Sequence, residues 1–180
     1  MIHEIYQHNF KTIKPDSIFT STIIDPGMCE EIEKEIREMG DKQDYKTNVK
    51  AQMTEWNMED KPGFVKLKEH ILSITSFISE KYYNRPMKPE ISDMWGMIYK
   101  KGDYAMVHDH WPALWSGVYY ITSPEKSGDL FFPQLKQTLS PQANQMVLFN
   151  GSTRHGVKEN LTDKERVAVS FNVREDTRAK

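Results

Sequence analysis

The spacing of apolar residues changes period near residue 90, and that change constrains the fold more than any other feature of the chain. Before it, two segments repeat every three to four residues. Asp25-Pro26 reads as an N-cap followed by proline at the first helical position. Met28, Ile32, Ile36 and Met39 then lie on one stripe, and Gly40 can close the helix. Glu30 and Glu31 are expected in its first turn, where the helix dipole favours acidic groups. A second helix is expected from about Gly63 to Tyr83, with Phe64, Leu67, Ile71, Ile74, Ile78 and Tyr82 on one face and Asn84-Arg85-Pro86 ending it. The stretch 46–58 between them fits either a strand or a wrapped loop.

After residue 90 the period is two. Segments 91–100, 104–110, 116–122, 129–132, 145–149 and 166–173 alternate as strands, separated by turn chemistry such as Lys101-Gly102-Asp103 and Asn150-Gly151. Many short strands without intervening helices argue for antiparallel sheets. The expected fold is mainly β with N-terminal helices, a jelly roll or double-stranded β-helix whose outer face the two helices cover. One domain spans 1–180, with 1–90 as helical support and 91–175 as the jelly-roll core.

Composition narrows the function classes. The chain has 180 residues and a formal charge of −2, which gives no reason to expect nucleic acid or an anionic membrane as a partner. No apolar stretch reaches membrane-spanning length, and residues 1–10 lack the hydrophobic segment of a signal peptide. Cys29 is the single cysteine, so no internal disulfide forms, and a cytoplasmic setting is expected. Composition does not indicate the oligomeric state.

The chemistry concentrates in the alternating half. In a strand, residues i and i+2 share a face, so His108 and His110 can present two imidazoles together while Asp109 points away. His155, near a distant strand end, would complete a three-nitrogen set suited to iron, zinc, copper or nickel. Arg166 shares its face with Ala168, Ser170 and Asn172, with Val167, Val169 and Phe171 opposite. An inward guanidinium needs an anion, either a bound carboxylate or an internal Asp or Glu. By the same counting Tyr120 shares a face with Ser116 and Val118, with Tyr119 opposite. Tyr120 is then either a second donor to that anion or a packed core residue. Trp111 and Trp115 follow His110 and are expected on the rim of the cavity, as a substrate wall or as packing; 47–58, with Trp56, is a second candidate wall.

Four segments in order, WGMIYKKGDYAMVHDHWPALWSGVYYI, SGDLFF, MVLFNGSTRHGV and ERVAVSFNV, resemble the 2-oxoglutarate and Fe(II)-dependent dioxygenase superfamily, most closely its prolyl-hydroxylase-like group. The resemblance covers residues 95–173. It implies His108 and His155 as metal ligands, Arg166 as the grip on the distal carboxylate of 2-oxoglutarate, Tyr120 as its helper, and Tyr99 near the keto-acid end. The superfamily's usual motif is His-x-Asp; here His110 stands in the middle position, with Asp109 the alternative ligand. The implied cofactors are Fe(II), 2-oxoglutarate as cosubstrate, and O2. The implied reaction hydroxylates an unactivated C–H bond of a protein residue or small molecule, with succinate and CO2 as coproducts. Two other readings stay open: a cupin-type three-histidine iron dioxygenase that uses no 2-oxoglutarate, and a non-catalytic metal-binding jelly-roll module.

Overall fold

The computed structural model describes residues 2–4, 17–42 and 47–177. Helices α1 (Pro26–Met39) and α2 (Pro62–Tyr83) pack on one face of a seven-stranded sheet. Its order is β1 (Ile2–Glu4), β2 (Ile18–Thr22), β10 (Gln145–Asn150), β7 (Trp115–Thr122), β12 (Arg166–Glu175), β5 (Pro89–Tyr99) and β4 (Gln52–Met53). A five-stranded sheet runs β3 (Val49–Lys50), β6 (Tyr104–His108), β11 (His155–Val157), β8 (Leu130–Phe132) and β9 (Gln137–Leu139). Apart from the parallel pair β1 and β2, the named strands pair antiparallel. The fold is the jelly roll expected from the alternating half.

Local chemistry sets the helix ends. The Asp25 carboxylate accepts from the Met28 amide at 2.9 Å, which satisfies one of the first-turn donors. Gly40 closes α1 at φ 67°, and Asn84 closes α2 in the left-handed region at φ 47° and ψ 38°. Glu30 and Glu31 fall beyond the first turn, which holds no acid, because the helix starts at Pro26. The buried stripe of α2 includes Thr75 and Ser79, with Ile74 only partly covered. Thr75 satisfies its hydroxyl by donating to the Ile71 carbonyl at 2.7 Å. No helix among the described residues is long and apolar enough to cross a membrane.

The large sheet separates two cores. Phe19, Tyr119, Val167, Val169 and Phe171 pack with α1 and α2 on one side. Trp95, Met97, Tyr99, Val118, Tyr120 and Ala168 face the small sheet on the other. The face assignments read from β7 and β12 therefore hold. Trp115 is a correction: it belongs to the helix-side core at 6% exposure, edge-on to Phe19 and Tyr83. Two-residue parity places it opposite Ser116, away from the cavity rim where it was expected.

Gly96 marks a close approach of α1 to β5. A Cβ there would lie 2.2 Å from Ile36 Cγ1, so the helix sits directly on backbone. Gly96→Ala should destabilise the protein by about 1–3 kcal/mol through overpacking, and Ile36→Ala alone by about 2–5 kcal/mol through its cavity. The double variant should lose clearly less than the sum, because each change relieves the other. Urea denaturation of the three variants measures this; additive losses would contradict the contact.

Candidate metal centre and anion anchor

Two histidines meet across a strand pair. In the β11–β6 ladder His155 lies directly opposite His108, the register that brings side chains closest. His110 is placed differently from expectation. Strand β6 ends at His108, so strand parity does not aim His110. The backbone leaves the strand and is pinned instead: the His110 amide donates to the Gly151 carbonyl at 2.8 Å, and the His110 carbonyl accepts from the Ala113 amide at 2.8 Å. Asp109 is exposed, and its Oδ1 accepts from the Trp111 amide at 3.2 Å.

The candidate ligand atoms of His108, His110 and His155 all lie within 4.8 Å of one another, a group that could hold a metal ion. His108 and His155 each direct Nδ1 at a carbonyl two residues back, Met106 at 2.7 Å and Thr153 at 2.9 Å. A carbonyl only accepts, so Nδ1 carries a proton, and Nε2 is the ring nitrogen left to face a metal. Burial, reinforced by the His108 ring, lowers His110 to about 4 and His155 to about 3. Both are therefore neutral near pH 7, the form that ligates.

Arg166 stands at the other end of the same cavity, which is lined also by Met97, Tyr99, Tyr120 and the three histidines. It is 1% exposed. Its Nη1 donates to the Ser127 and Gly128 carbonyls at 2.7 and 2.6 Å, and its guanidinium lies 4.1 Å from the centre of the Tyr99 ring. No carboxylate pairs with it among the described residues, and its Nε is buried without a hydrogen-bond partner. The internal salt bridge considered from sequence is absent there. Gly128 is required beside it: φ is +101°, and a Cβ would sit 2.1 Å from the Lys158 carbonyl and 3.1 Å from Nη1.

Tyr120 lines this cavity, and burial raises its pKa so that it stays a neutral phenol able to donate. Tyr99, expected near the keto-acid end of the cosubstrate, faces Arg166 across the β5–β12 ladder with its ring against the guanidinium. Trp111 is 77% exposed next to His110, and Trp56 packs edge-on against Trp95 near the same opening. Sequence reasoning missed Asn160, which is fully buried. It donates to the Tyr99 and Lys164 carbonyls and accepts from the Thr162 amide, holding the turn that launches Arg166. The signal that could have found it is an asparagine among the turn-forming residues 160–164, just before the strand that carries Arg166.

The depressed imidazoles link protonation to stability. The unfolded chain binds protons below the ordinary value of 6.5, whereas folded His110 and His155 resist protonation down to about 4 and about 3. Stability of the metal-free protein should be level above pH 6.5 and decline from there toward pH 4 and 3. His155→Asn should flatten that slope. Urea midpoints measured across this range test the linkage, and an unchanged midpoint from 6.5 to 4 in the parent protein would contradict it.

Comparison with known proteins agrees with this geometry. Residues 93–140 match the model of the family described as "Putative 2OG-Fe(II) oxygenase". No curated protein matches the sequence. Among solved structures, a viral collagen prolyl hydroxylase from Paramecium Bursaria Chlorella virus-1, in complex with 2OG, superposes with a TM-score of 0.60 at 18% identity, covering 87% of this chain and 96% of that one. A prolyl-4-hydroxylase from Pseudomonas putida gives 0.69 at 14% identity, with 88% and 92% covered. HygX from Streptomyces hygroscopicus, with nickel and 2-oxoglutarate bound, gives 0.66 at 12% identity, with 91% and 84% covered. At such identities the structures establish a shared fold. The family match across β5 to β9 and the fold shared over most of its length make the chain similar to 2-oxoglutarate and Fe(II)-dependent oxygenases.

Proposed function

We propose that this protein is a 2-oxoglutarate- and Fe(II)-dependent dioxygenase that hydroxylates an unactivated C–H bond of a protein residue or small molecule, acting as one domain over 1–180. The observation that carries this reading is Arg166: a fully buried cation with no carboxylate partner among the described residues, opening on the same cavity as three converging imidazoles. A buried charge without a counter-ion is costly, and the far carboxylate of 2-oxoglutarate supplies the missing anion. An iron dioxygenase without 2-oxoglutarate, or a non-catalytic metal module, leaves the buried charge of Arg166 without an ion-pair partner.

The donor set fits the group. His108, His110 and His155 would hold Fe(II): burial keeps the His110 and His155 rings neutral, and the Nδ1–carbonyl bonds of His108 and His155 leave Nε2 to face the metal. Arg166 and Tyr120 would hold the distal carboxylate, with Tyr99 bracing the guanidinium by its ring face. Bound there, Fe(II) with 2-oxoglutarate and O2 supplies the oxidising chemistry, with succinate and CO2 as coproducts. Met97, Leu130, Val118 and Ala168 line the cavity and keep bulk water from the reacting end. His110 is assigned as the middle ligand in preference to Asp109, whose carboxylate is exposed and engaged with the Trp111 amide. A reducing cytoplasmic setting, which keeps iron ferrous and Cys29 a thiol, is part of this reading.

Anaerobic titration with Fe(II) should give a weak visible charge-transfer band only when 2-oxoglutarate is added. Arg166→Ala should weaken 2-oxoglutarate about 10- to 100-fold, the effect of losing a charged hydrogen-bonded pair, and leave metal affinity near that of the parent. His110→Ala should lose iron where Asp109→Ala retains it. No band, together with no succinate under air, overturns the dioxygenase; iron loss only in the Asp109 variant reassigns the ligand.

A further inference from the structure

The β5–β12 ladder continues past the metal centre to a second polar site at the mouth. Its inward rungs run Arg166 with Tyr99, Ala168 with Met97, Ser170 with Trp95, and Asn172 with Asp93. At roughly 3.3 Å per residue, Asn172 stands about 20 Å along the strand from Arg166. The histidines lie between, and a groove outside them is lined by Asn48, Trp56, Asp93, Trp95, His110 and Asn172.

The polar groups of this groove are incompletely satisfied. Asn172, 8% exposed, donates through Nδ2 to Asp93 Oδ2 at 3.2 Å, and Ser92 Oγ donates to the same oxygen at 3.0 Å. The amide orientation is dictated by that carboxylate, which accepts only. Asn172 Oδ1 is therefore left as a buried acceptor without a partner, and Nε1 of Trp95, 3% exposed, is a buried donor without one. Buried polar atoms without partners are uncommon and costly in native folds. Asp93 has no cationic partner among the described residues, and Asp109 adds a second carboxylate to the same groove. The nearby Arg174 is committed to Glu90 at 2.6 Å.

We propose that Asp93, Asn172 and Trp95 form the substrate-recognition subsite, and that it takes a cationic substrate: an ammonium or guanidinium group with an oxygen acceptor close by. The cation donates to Asp93 and to Asn172 Oδ1, against the indole faces of Trp95 and Trp56, while Trp95 Nε1 donates to the ligand's oxygen. Anionic molecules are repelled at this mouth, so the two ends of the cavity sort their ligands by charge: the dicarboxylate at Arg166, the cation at Asp93. This assignment rests on the dioxygenase reading for its meaning as a substrate site.

Calorimetric titration of the protein loaded with Zn(II) and 2-oxoglutarate tests it without turnover. The probes are lysinamide, its diacetylated neutral form, and glutamate. Lysinamide should bind about tenfold or more tighter than the other two, as a charged hydrogen bond predicts. In Asp93→Asn the preference should collapse, and in Asn172→Leu it should weaken. Equal affinity for the three probes in the parent protein, or a preference that survives Asp93→Asn, overturns the proposal. The same titrations separate the two readings: 2-oxoglutarate binding without amine preference removes this subsite alone. Amine preference without 2-oxoglutarate binding sustains the cation site and removes the dioxygenase.

Discussion

The antiparallel pairing of β5 with β12 is the constraint on which the site depends. It runs from Glu175 opposite Pro89 to Arg166 opposite Tyr99, and β7 closes the other side of β12. Because side chains alternate, the register that buries Val167, Val169 and Phe171 beneath the helices also commits Arg166, Ala168 and Ser170 to the cavity. A slip of one residue would put a guanidinium into the helix-side core and valines into the site. The apolar packing of α1 and α2 therefore specifies the register, and the register specifies the chemistry. The helices hold the site without touching it.

The face assignments of β7 and β12 were legible in the sequence because both strands are central and carry one uniformly apolar face. Strand β2 was not: it is buried along four of its five residues, so IFTST shows no alternation to read. Strands β9 and β11 have three residues each, too short for a period to register. Trp115 was misplaced by its nearness to His110, although counting from Ser116 puts it on the helix side. Asp93 and Trp95 were within reach of the same parity, counted back from Tyr99. What hid them was the absence of any motif calling for the count.

The middle histidine shows where local reading ends. Same-face parity required the strand to continue through residue 110, yet β6 stops at His108. His110 is aimed by a hydrogen bond to Gly151, whose own amide donates to Leu114. At Gly151 a Cβ would lie 2.1 Å from the Ala113 carbonyl, so the Asn150-Gly151 turn and the His110–Leu114 segment can meet only through glycine. A contact between segments some forty residues apart sets the angle of one imidazole, and no period in either segment records it.

Charge balance links that histidine to the mouth of the cavity. As ligands, three imidazoles would contribute no negative charge to a divalent ion, whereas a carboxylate in the middle position would contribute one. The carboxylates of this groove stand outside the three histidines, Asp109 beside them and Asp93 across the groove. Asp109 acts electrostatically on His155, raising its basicity against the effect of burial. Carboxylates that do not ligate remain free to meet other charges. Moving the negative charge from the ligand position to the rim thus couples the three-histidine set to an acidic opening, whereas Arg166, far down the same ladder, keeps the inner end positive. A cavity with opposite charge at its two ends would give an anionic cosubstrate and a cationic substrate separate places, one on each side of the imidazoles.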